Sequence, residues 1–187
     1  MFFSVVIPCV NYKKLLNAAD SLNNQRFKNF ELLIIIYNYQ TKSDIIDNYL
    51  NKIFKSDINF KIININELNV SKARNLGIEE ANGEWICFLD DDDEWQNSKL
   101  SSIKKYIDTY QDCFFLFHDV NIVKNTKIVN TQKKRVQYYL NHNKNIFLLE
   151  DLKKHNFIIT SSVSINKSIL SNIKFDENLY VAEDYDL

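Results

Sequence analysis

The amino-acid sequence predicts an α/β fold in which helices flank a mostly parallel, doubly wound sheet. Apolar runs typical of strands alternate with helix-like spacing from residue 3 to about residue 123, which is the chain pattern of such sheets. The run Phe30–Ile36 is almost continuously apolar, as expected for a parallel strand that is covered on both faces. Because no repeat or linker interrupts the chain, the sequence predicts one domain over residues 1–187.

The first part of the alternation follows from hydrophobic spacing. Phe3–Pro8 is rich in Val and Ile and predicts a strand. Apolar residues every three to four positions predict helices over Tyr12–Gln25 and Lys42–Phe54. Phe30–Ile36 and Phe60–Ile65 predict the second and third strands. A helix lies between successive strands, so the strands are expected to run parallel.

The next helix and strand are marked by capping and turn residues. Ser71–Ala81 predicts a helix with Ser71 as its N-cap, and Gly83 is expected to end that helix. The apolar segment Glu84–Leu89 predicts a fourth strand. Ser98–Tyr110 again has one apolar face and predicts the helix that follows.

The pattern loosens in the last third of the chain. Phe114–Val123 predicts a fifth strand and Lys127–Tyr139 an extended hairpin arm. Leu148–Lys154 predicts a short helix, Ile158–Ile165 a further strand, and Ile169–Leu170 a helical turn. The fold is therefore expected to be less complete here than in the first two thirds.

The composition is that of a globular protein, with 45% hydrophobic and 25% charged residues and a formal net charge of −1. This balance indicates neither a nucleic-acid partner nor charge-driven membrane binding. The three cysteines lie far apart in apolar runs, which predicts buried thiols in a reducing compartment. The apolar runs are too short to cross a bilayer and the first residues lack the basic leader of a signal peptide, so we expect a cytoplasmic protein.

Five consecutive acids, Asp90–Glu94, directly follow the fourth predicted strand. Ligands of open α/β sheets bind beyond the carboxyl ends of the strands, where these acids are expected to lie. Clustered carboxylates repel one another unless a cation or raised pKa values relieve the charge, and carboxylate oxygens favour Mg²⁺ or Mn²⁺. The alternative is an acidic N-terminus for the helix that starts near Ser98, which explains one or two acids but not five.

At this point the sequence resembles the family-two glycosyltransferases, which are inverting enzymes with the GT-A fold. Six segments carry the resemblance in the family's order, and they contain the only proline and both glycines of the chain. The segments are Val5–Asn11, Gln25–Glu31, Ser71–Ile78, Asn82–Trp95, Phe175–Glu177 and Ala182–Leu187. The resemblance implies a nucleotide-sugar-binding half at residues 1–123 and a partial acceptor-side half at residues 124–187.

The resemblance implies a donor site built on the acidic run. Asp92 would be the ligand of Mn²⁺ or Mg²⁺, while Asp90 and Asp91 would contact the sugar or ribose of the donor. Arg74 would lie near the base and phosphates, although a surface helix arginine is an equally good interpretation. The turn after the first strand would line the base pocket through Pro8, Cys9 and Asn11, or these residues serve only turn chemistry.

The resemblance also implies the catalytic pair. Asp184 would act as general base on the acceptor hydroxyl, and Glu183 would orient the acceptor or the base. The alternative is an acidic N-terminus for a helix that begins at Tyr185. The family's Glu-Asp motif opens a helix, and this sequence reaches its last residue, Leu187, within the first turn. We therefore expect either a fragment of a longer enzyme or a shortened product with impaired activity.

The second predicted strand departs from the family pattern. Paired acids should follow it, and the sequence instead reads Ile36-Tyr37-Asn38-Tyr39. Asn38 is expected to contact the nucleotide base in place of the acid, and Tyr37 or Tyr39 could stack on it. A UDP-sugar is the leading candidate donor, but the departure leaves the nucleotide open.

The leading hypothesis is a metal-dependent inverting glycosyltransferase that moves a sugar from a nucleotide-sugar donor to a glycan or lipid-linked acceptor. That family setting implies a cytoplasmic enzyme with possible peripheral contact with the inner membrane face. One alternative is a non-catalytic or truncated domain that still binds a nucleotide. A nucleotidyltransferase is the other, although two glycines in the whole chain do not suit its glycine-rich phosphate loop. For Trp95, a wall of the sugar site and a core residue both remain open.

Overall fold

The computed structural model describes residues 1–41, 43–54, 58–124, 127–131 and 158–179. The strands are β1 (Phe3–Cys9), β2 (Phe30–Tyr37), β3 (Asn59–Ile65), β4 (Trp85–Phe88), β5 (Phe115–Leu116), β6 (Asn121–Lys124), β7 (Lys127–Thr131) and β8 (Ser164–Asn166). The helices are α1 (Tyr12–Asn23), α2 (Ser43–Phe54), α3 (Val70–Glu80) and α4 (Lys99–Thr109). Short 3₁₀ segments cover Tyr39–Thr41, Thr160–Ser162 and Lys167–Asn172.

The central sheet has six strands in the order β3-β2-β1-β4-β8-β5. The first four are parallel, with β1 between β2 and β4 so that Phe3 pairs with both Phe30 and Trp85. Strand β8 is antiparallel to both of its neighbours, β4 and β5. The predicted α/β class with a mostly parallel sheet is therefore confirmed.

Helices cover the sheet on both faces, which explains the continuous burial of its central strands. Alternate residues of β1, such as Phe3 and Val5, pack into a core with α1, α2 and α4. Val6 faces the other way and packs with α3 residues such as Ala73 and Ile78. All seven residues of β1 are buried, as expected for a parallel strand with helices on both sides.

Both glycines are explained by close approach of the backbone. An added Cβ at Gly77 would lie 2.2 Å from Val6 Cγ1, so α3 sits against β1 at this point. An added Cβ at Gly83 would lie 2.5 Å from the backbone nitrogen of Ser4. The Gly83 N–H donates to Ser4 Oγ at 2.7 Å, which joins the approach to β4 to the start of β1.

Two expectations about the ends of α3 are wrong. The N-cap is Asn69, whose side chain accepts from the Lys72 N–H, while Ser71 lies inside the helix. The helix ends before Ala81, which is extended, and Gly83 has an ordinary negative φ. Asn and Ser are comparable N-caps in a sequence, so local pattern does not distinguish them, and in the structure Asn69 also donates to the Glu177 carbonyl.

The predicted fifth strand, Phe114–Val123, is divided in the structure. Its first part is β5, which pairs through Phe115 and Leu116 only, because β8 itself has three residues. Its second part is β6, which forms a separate two-stranded sheet with β7. The hairpin is thus confirmed as far as Thr131, and the rest of Lys127–Tyr139 lies outside the described residues.

The later predictions are confirmed only in part. Ile158–Ile165 forms a strand only near its end, because Thr160–Ser162 is a 3₁₀ turn in which Ser162 Oγ donates to the Ile159 carbonyl at 2.6 Å. The helical turn at Ile169–Leu170 lies in the last 3₁₀ segment. Leu148–Lys154 lies outside the described residues. No helix in the described ranges is long and apolar enough to span a membrane.

Candidate active site

Three chain segments meet at the carboxyl edge of the sheet. The turn after β1, the acidic loop (residues 90–95) after β4 and the first half of α3 come together there. Strands β1 and β4 are parallel neighbours, so their carboxyl ends lie side by side. This is the edge at which ligands of open α/β sheets bind. The sheet order therefore brings the predicted donor-site residues into one place.

Asp91 fastens the acidic loop to the turn after β1. Its Oδ2 accepts from the backbone N–H groups of Val10, at 2.8 Å, and Asn11, at 2.7 Å. Asn11 also caps α1 by accepting from the Lys13 N–H. Cys9 is buried, and burial together with Asp91 raises the pKa of its thiol, so the thiol is protonated and unreactive.

The predicted base-pocket residues differ in accessibility. Pro8 and Cys9 are buried in β1, where they pair with Ile35 and Ile36 of β2. Asn11 is exposed at the start of α1. Of the three, only Asn11 therefore presents a side chain to solvent at the carboxyl edge.

Arg74 and Asp90 form an ion pair at this edge. Arg74 Nη2 lies 2.9 Å from Asp90 Oδ1, with side-chain exposures of 4% for the arginine and 31% for the aspartate. The guanidinium also lies over the ring of Phe175, 5.3 Å from its centroid. The interpretation of Arg74 as a surface helix arginine is therefore wrong, because its charge is held against the acidic loop.

Asp92, like Glu94, is a member of the loop that is exposed to solvent. Its side chain is 54% exposed, and Oδ2 lies 3.0 Å from Nζ of Lys14, which is 50% exposed. Asp90 and Asp91 already bind protein groups, and the described residues contain no group of three His, Cys, Asp or Glu side chains that could hold a metal. Mg²⁺ is often held by one or two carboxylates together with phosphate oxygens and water. A divalent cation shared with a diphosphate therefore fits Asp92, once Lys14 moves away.

Sequence reasoning missed a buried polar group beneath the loop. Asp93, Lys99 and Ser161 meet there, and Lys99 and Ser161 are almost fully buried. The Trp95 indole N–H donates to the Ser161 carbonyl at 3.0 Å, so Trp95 is a core residue and not an open wall of a sugar site. A lysine at the start of a helix normally indicates a solvated position, and a serine in a turn gives no signal of a contact 62 residues away.

The turn after β2 lies at the same edge, next to β1. Asn38 is exposed there and adopts a positive φ of 56°, which Asn tolerates better than most residues. Tyr39 packs against the core, and its hydroxyl donates to Asp47 at 2.6 Å. Burial and Asp47 raise the pKa of Tyr39 to about 12. The Tyr39 hydroxyl is therefore held by the protein, while stacking by Tyr37 or Tyr39 and the role of Asn38 stay predictions.

Asn75 ties the end of the described chain to α3. Its side chain accepts from the Phe175 N–H and donates to the Phe175 carbonyl, both at 2.9 Å. It also donates to Glu177 Oε1 at 2.9 Å. The predicted catalytic residues Glu183 and Asp184 lie outside the described residues. The segment that precedes them is held one position along α3 from Arg74.

Comparison with known proteins gives a consistent family. The family described as Glycosyl transferase family 2 matches residues 4–173. The amylovoran biosynthesis glycosyltransferase AmsB of Erwinia amylovora is 29% identical, over 99% of this chain and 62% of the relative. The GalNAc(5)-diNAcBac-PP-undecaprenol beta-1,3-glucosyltransferase of Campylobacter jejuni is 26% identical, over 95% of this chain and 55% of the relative.

A solved structure with the same fold is that of residues 1–349 of S. aureus TarS in complex with UDP. Its TM-score is 0.76 at 20% identity, over 99% of this chain and 53% of that one. The GT-A architecture predicted from the motifs is thereby confirmed. The chain spans 62% of the length of the first of the two relatives named above and 55% of the second.

Proposed function

The chain belongs to glycosyl transferase family 2, and we propose that it transfers a sugar from a nucleotide-sugar donor to an acceptor hydroxyl with inversion, with Mn²⁺ or Mg²⁺ at Asp92. The observation that carries the proposal is the meeting of the acidic loop, Arg74 and the turn after β1 at the ligand-binding edge of the sheet. We assign donor binding to residues 1–123 and the acceptor side to residues 124–187.

A uridine nucleotide is the proposed donor base, and the acceptor is a glycan or a lipid-linked glycan. The UDP complex of TarS supports the first part, since the two folds match over almost this whole chain. The names of the amylovoran and undecaprenol-linked relatives support the second. Such an acceptor places the enzyme in the cytoplasm at the inner face of the membrane.

Asp92, Arg74 and Lys14 have separate roles in binding the donor. Asp92 holds the metal, which when bound supplies positive charge that stabilises the departing diphosphate. Arg74 neutralises Asp90 at 2.9 Å and so keeps one of the adjacent carboxylates from repelling the phosphates. Lys14, whose ammonium lies 3.0 Å from Asp92 Oδ2, would give up this contact to a metal held by Asp92, and its charge would then be free to pair with a donor phosphate.

On the acceptor side, Asp184 is the proposed general base and Glu183 the group that orients it. The proposed base removes the proton from the acceptor hydroxyl as that oxygen attacks the anomeric carbon, and the nucleoside diphosphate leaves from the opposite face. The binding of Phe175 and Glu177 by Asn75 supports this assignment, since it holds residues 175–177 against α3 beside Arg74.

A second candidate is a domain that binds the donor without turning it over. The observation that favours it is Asn38, which stands where the family pattern has an acid for base recognition. Release of UDP from a UDP-sugar in the presence of Mn²⁺ and acceptor separates the two candidates, because the binding domain would give none.

The proposal is tested by isothermal titration of UDP and GDP, with Mn²⁺ or with chelator, into the wild type, Asp92→Ala and Asp108→Ala. Asp108 is an exposed acid on α4, so Asp108→Ala removes the same charge away from the site. We expect UDP to bind more tightly with Mn²⁺, and Asp92→Ala but not Asp108→Ala to lose that gain. A folded wild type that binds no nucleotide would refute the transferase proposal.

A further inference from the structure

Ser161, in the distant segment that leads into β8, forms hydrogen bonds with the acidic loop on the buried side of that loop. Ser161 Oγ accepts from the Asp90 N–H at 3.0 Å, and its hydroxyl donates to the Asp93 carboxylate. The Ser161 carbonyl accepts from the Trp95 indole N–H at 3.0 Å and from Lys99 Nζ at 2.6 Å. One residue thus contacts both ends of the loop and the helix that follows it.

Lys99 makes this contact in an unusual environment. The residue is only 7% exposed, and its ammonium lies 3.6 Å from the centroid of the Trp95 ring. Burying an ammonium costs several kcal/mol unless it is paired, and an apolar side chain of similar size is often as stable or more so. Asp93, whose side chain is partly buried, supplies nearby negative charge. Stability alone therefore gives no reason for a charged pair at this position.

These hydrogen bonds matter because Asp92 lies between Asp90 and Asp93, the two residues that the Ser161 hydroxyl binds. Ser161 holds Asp90 and Asp93, and the Asp93 N–H donates to the Asp90 carbonyl at 3.1 Å to close a turn around the two residues between them. Asp92 lies inside that turn, and its one contact given by the structure is with an exposed lysine. An exposed ion pair of this kind is screened by water and constrains its two side chains only weakly. The position of the Asp92 carboxylate is therefore determined by its neighbours.

We propose that Ser161 and Lys99 are positioning residues that hold the acidic loop so that Asp92 presents its carboxylate to the metal of the donor complex. The inference rests on the proposed function of Asp92. It adds that metal binding in residues 90–95 depends on a buried contact with residues 160–162, which belong to the other half of the domain.

A matched pair of buried serines tests the proposal. Ser161→Ala removes the hydroxyl beneath the loop, while Ser162→Ala removes a neighbouring hydroxyl that bonds only to the Ile159 carbonyl within its own turn. Lys99→Met is the second variant, because it keeps the aliphatic stem and removes the charge together with the hydrogen bond to the Ser161 carbonyl. The readout is the ratio of the UDP dissociation constants with chelator and with Mn²⁺, measured by titration calorimetry.

We expect Ser161→Ala and Lys99→Met to reduce this ratio roughly tenfold, the effect typical of groups that hold a metal ligand in place. The dissociation constant with chelator should change less than twofold, and Ser162→Ala should match the wild type. A merely structural role would lower the fraction of binding-competent protein, and hence the stoichiometry, without changing the ratio. If Ser161→Ala fails to fold, Lys99→Met decides.

Different results would overturn the proposed metal site and the proposed positioning role. A wild type whose UDP affinity does not depend on Mn²⁺ would overturn the proposed metal site itself. A metal-dependent wild type with an unchanged ratio in the folded variants would overturn the positioning role and leave the proposed function in place.

Discussion

Asp91 and Asp92 are adjacent carboxylates that the structure uses in opposite ways, and mutation should separate them. Asp91 accepts two backbone N–H bonds that join the acidic loop to the turn after β1. Asp92 makes an exposed contact with Lys14. We expect Asp91→Ala to destabilise the fold and Asp92→Ala to leave its stability almost unchanged, although both remove one negative charge.

The magnitude follows from the contacts. A hydrogen bond to a charged group contributes about 1.5–3 kcal/mol, so the two bonds of Asp91 set an upper limit near 6 kcal/mol. Water can replace the carboxylate at Val10 and Asn11, and the mutation relieves repulsion from Asp90 and Asp92, which reduces the expected loss to about 2 kcal/mol. Asp92→Ala should change the unfolding free energy by less than about 0.5 kcal/mol.

Urea unfolding followed by tryptophan fluorescence measures both variants, because Trp85 and Trp95 are buried. The solutions should be at pH 7.5 without divalent cations, so that metal binding does not contribute. A loss of about 2 kcal/mol corresponds to a melting temperature lower by about 4–8 °C in a domain of this size. Asp91→Asn, which can still accept both bonds, should lose about half as much. Equal destabilisation by Asp91→Ala and Asp92→Ala would refute the division of roles.

Two further predictions concern the packing and the charge beneath the site. Gly77→Ala should lower the free energy of unfolding by about 2 kcal/mol despite the better helix propensity of Ala, because the new Cβ would lie 2.2 Å from Val6 Cγ1. In urea unfolding, the double variant with Val6→Ala should lose less stability than the two single variants together. Strict additivity of the two losses would contradict the clash. Burial lowers the pKa of Lys99 to about 7, so the unfolded state binds more protons than the folded state above that pH. The stability of the wild type relative to Lys99→Met should therefore rise by about 2 kcal/mol from pH 7 to pH 9. A stability difference that stays constant over this range would show that the ammonium is not buried as described.

The parts of the fold that depend on local patterns were predictable from the sequence. The first four strands and the helices between them follow from the spacing of apolar residues, and the structure places them within a few residues of the predicted ranges. The motif Ser71–Ile78 was also found, but the sequence could not show that Arg74 would be buried against Asp90. The meeting of those two residues depends on Gly77, which lets α3 approach β1.

The parts that depend on contacts between distant residues were not predictable. Strand β8 is three residues long and is inserted between β4 and β5, so neither its length nor its antiparallel direction has a periodic signal. Ser71 is the predicted N-cap of α3, whereas Asn69 holds that role and also donates to the Glu177 carbonyl, 108 residues away. The burial of Lys99 likewise accompanies its contact with Ser161, 62 residues away.

The insertion of β8 between β4 and β5 has a consequence for the order in which the protein is built. Ser164 pairs with Cys87 across 77 positions, so during synthesis the sheet ends at β4 until the later segment has left the ribosome. At about 5–20 residues per second this interval lasts roughly 4–15 s. Throughout this interval, the nascent acidic loop lacks the hydrogen bonds that Ser161 later makes with it. If Ser161 positions the loop as proposed, the loop would reach its final arrangement only after the slow, long-range pairing that completes the sheet.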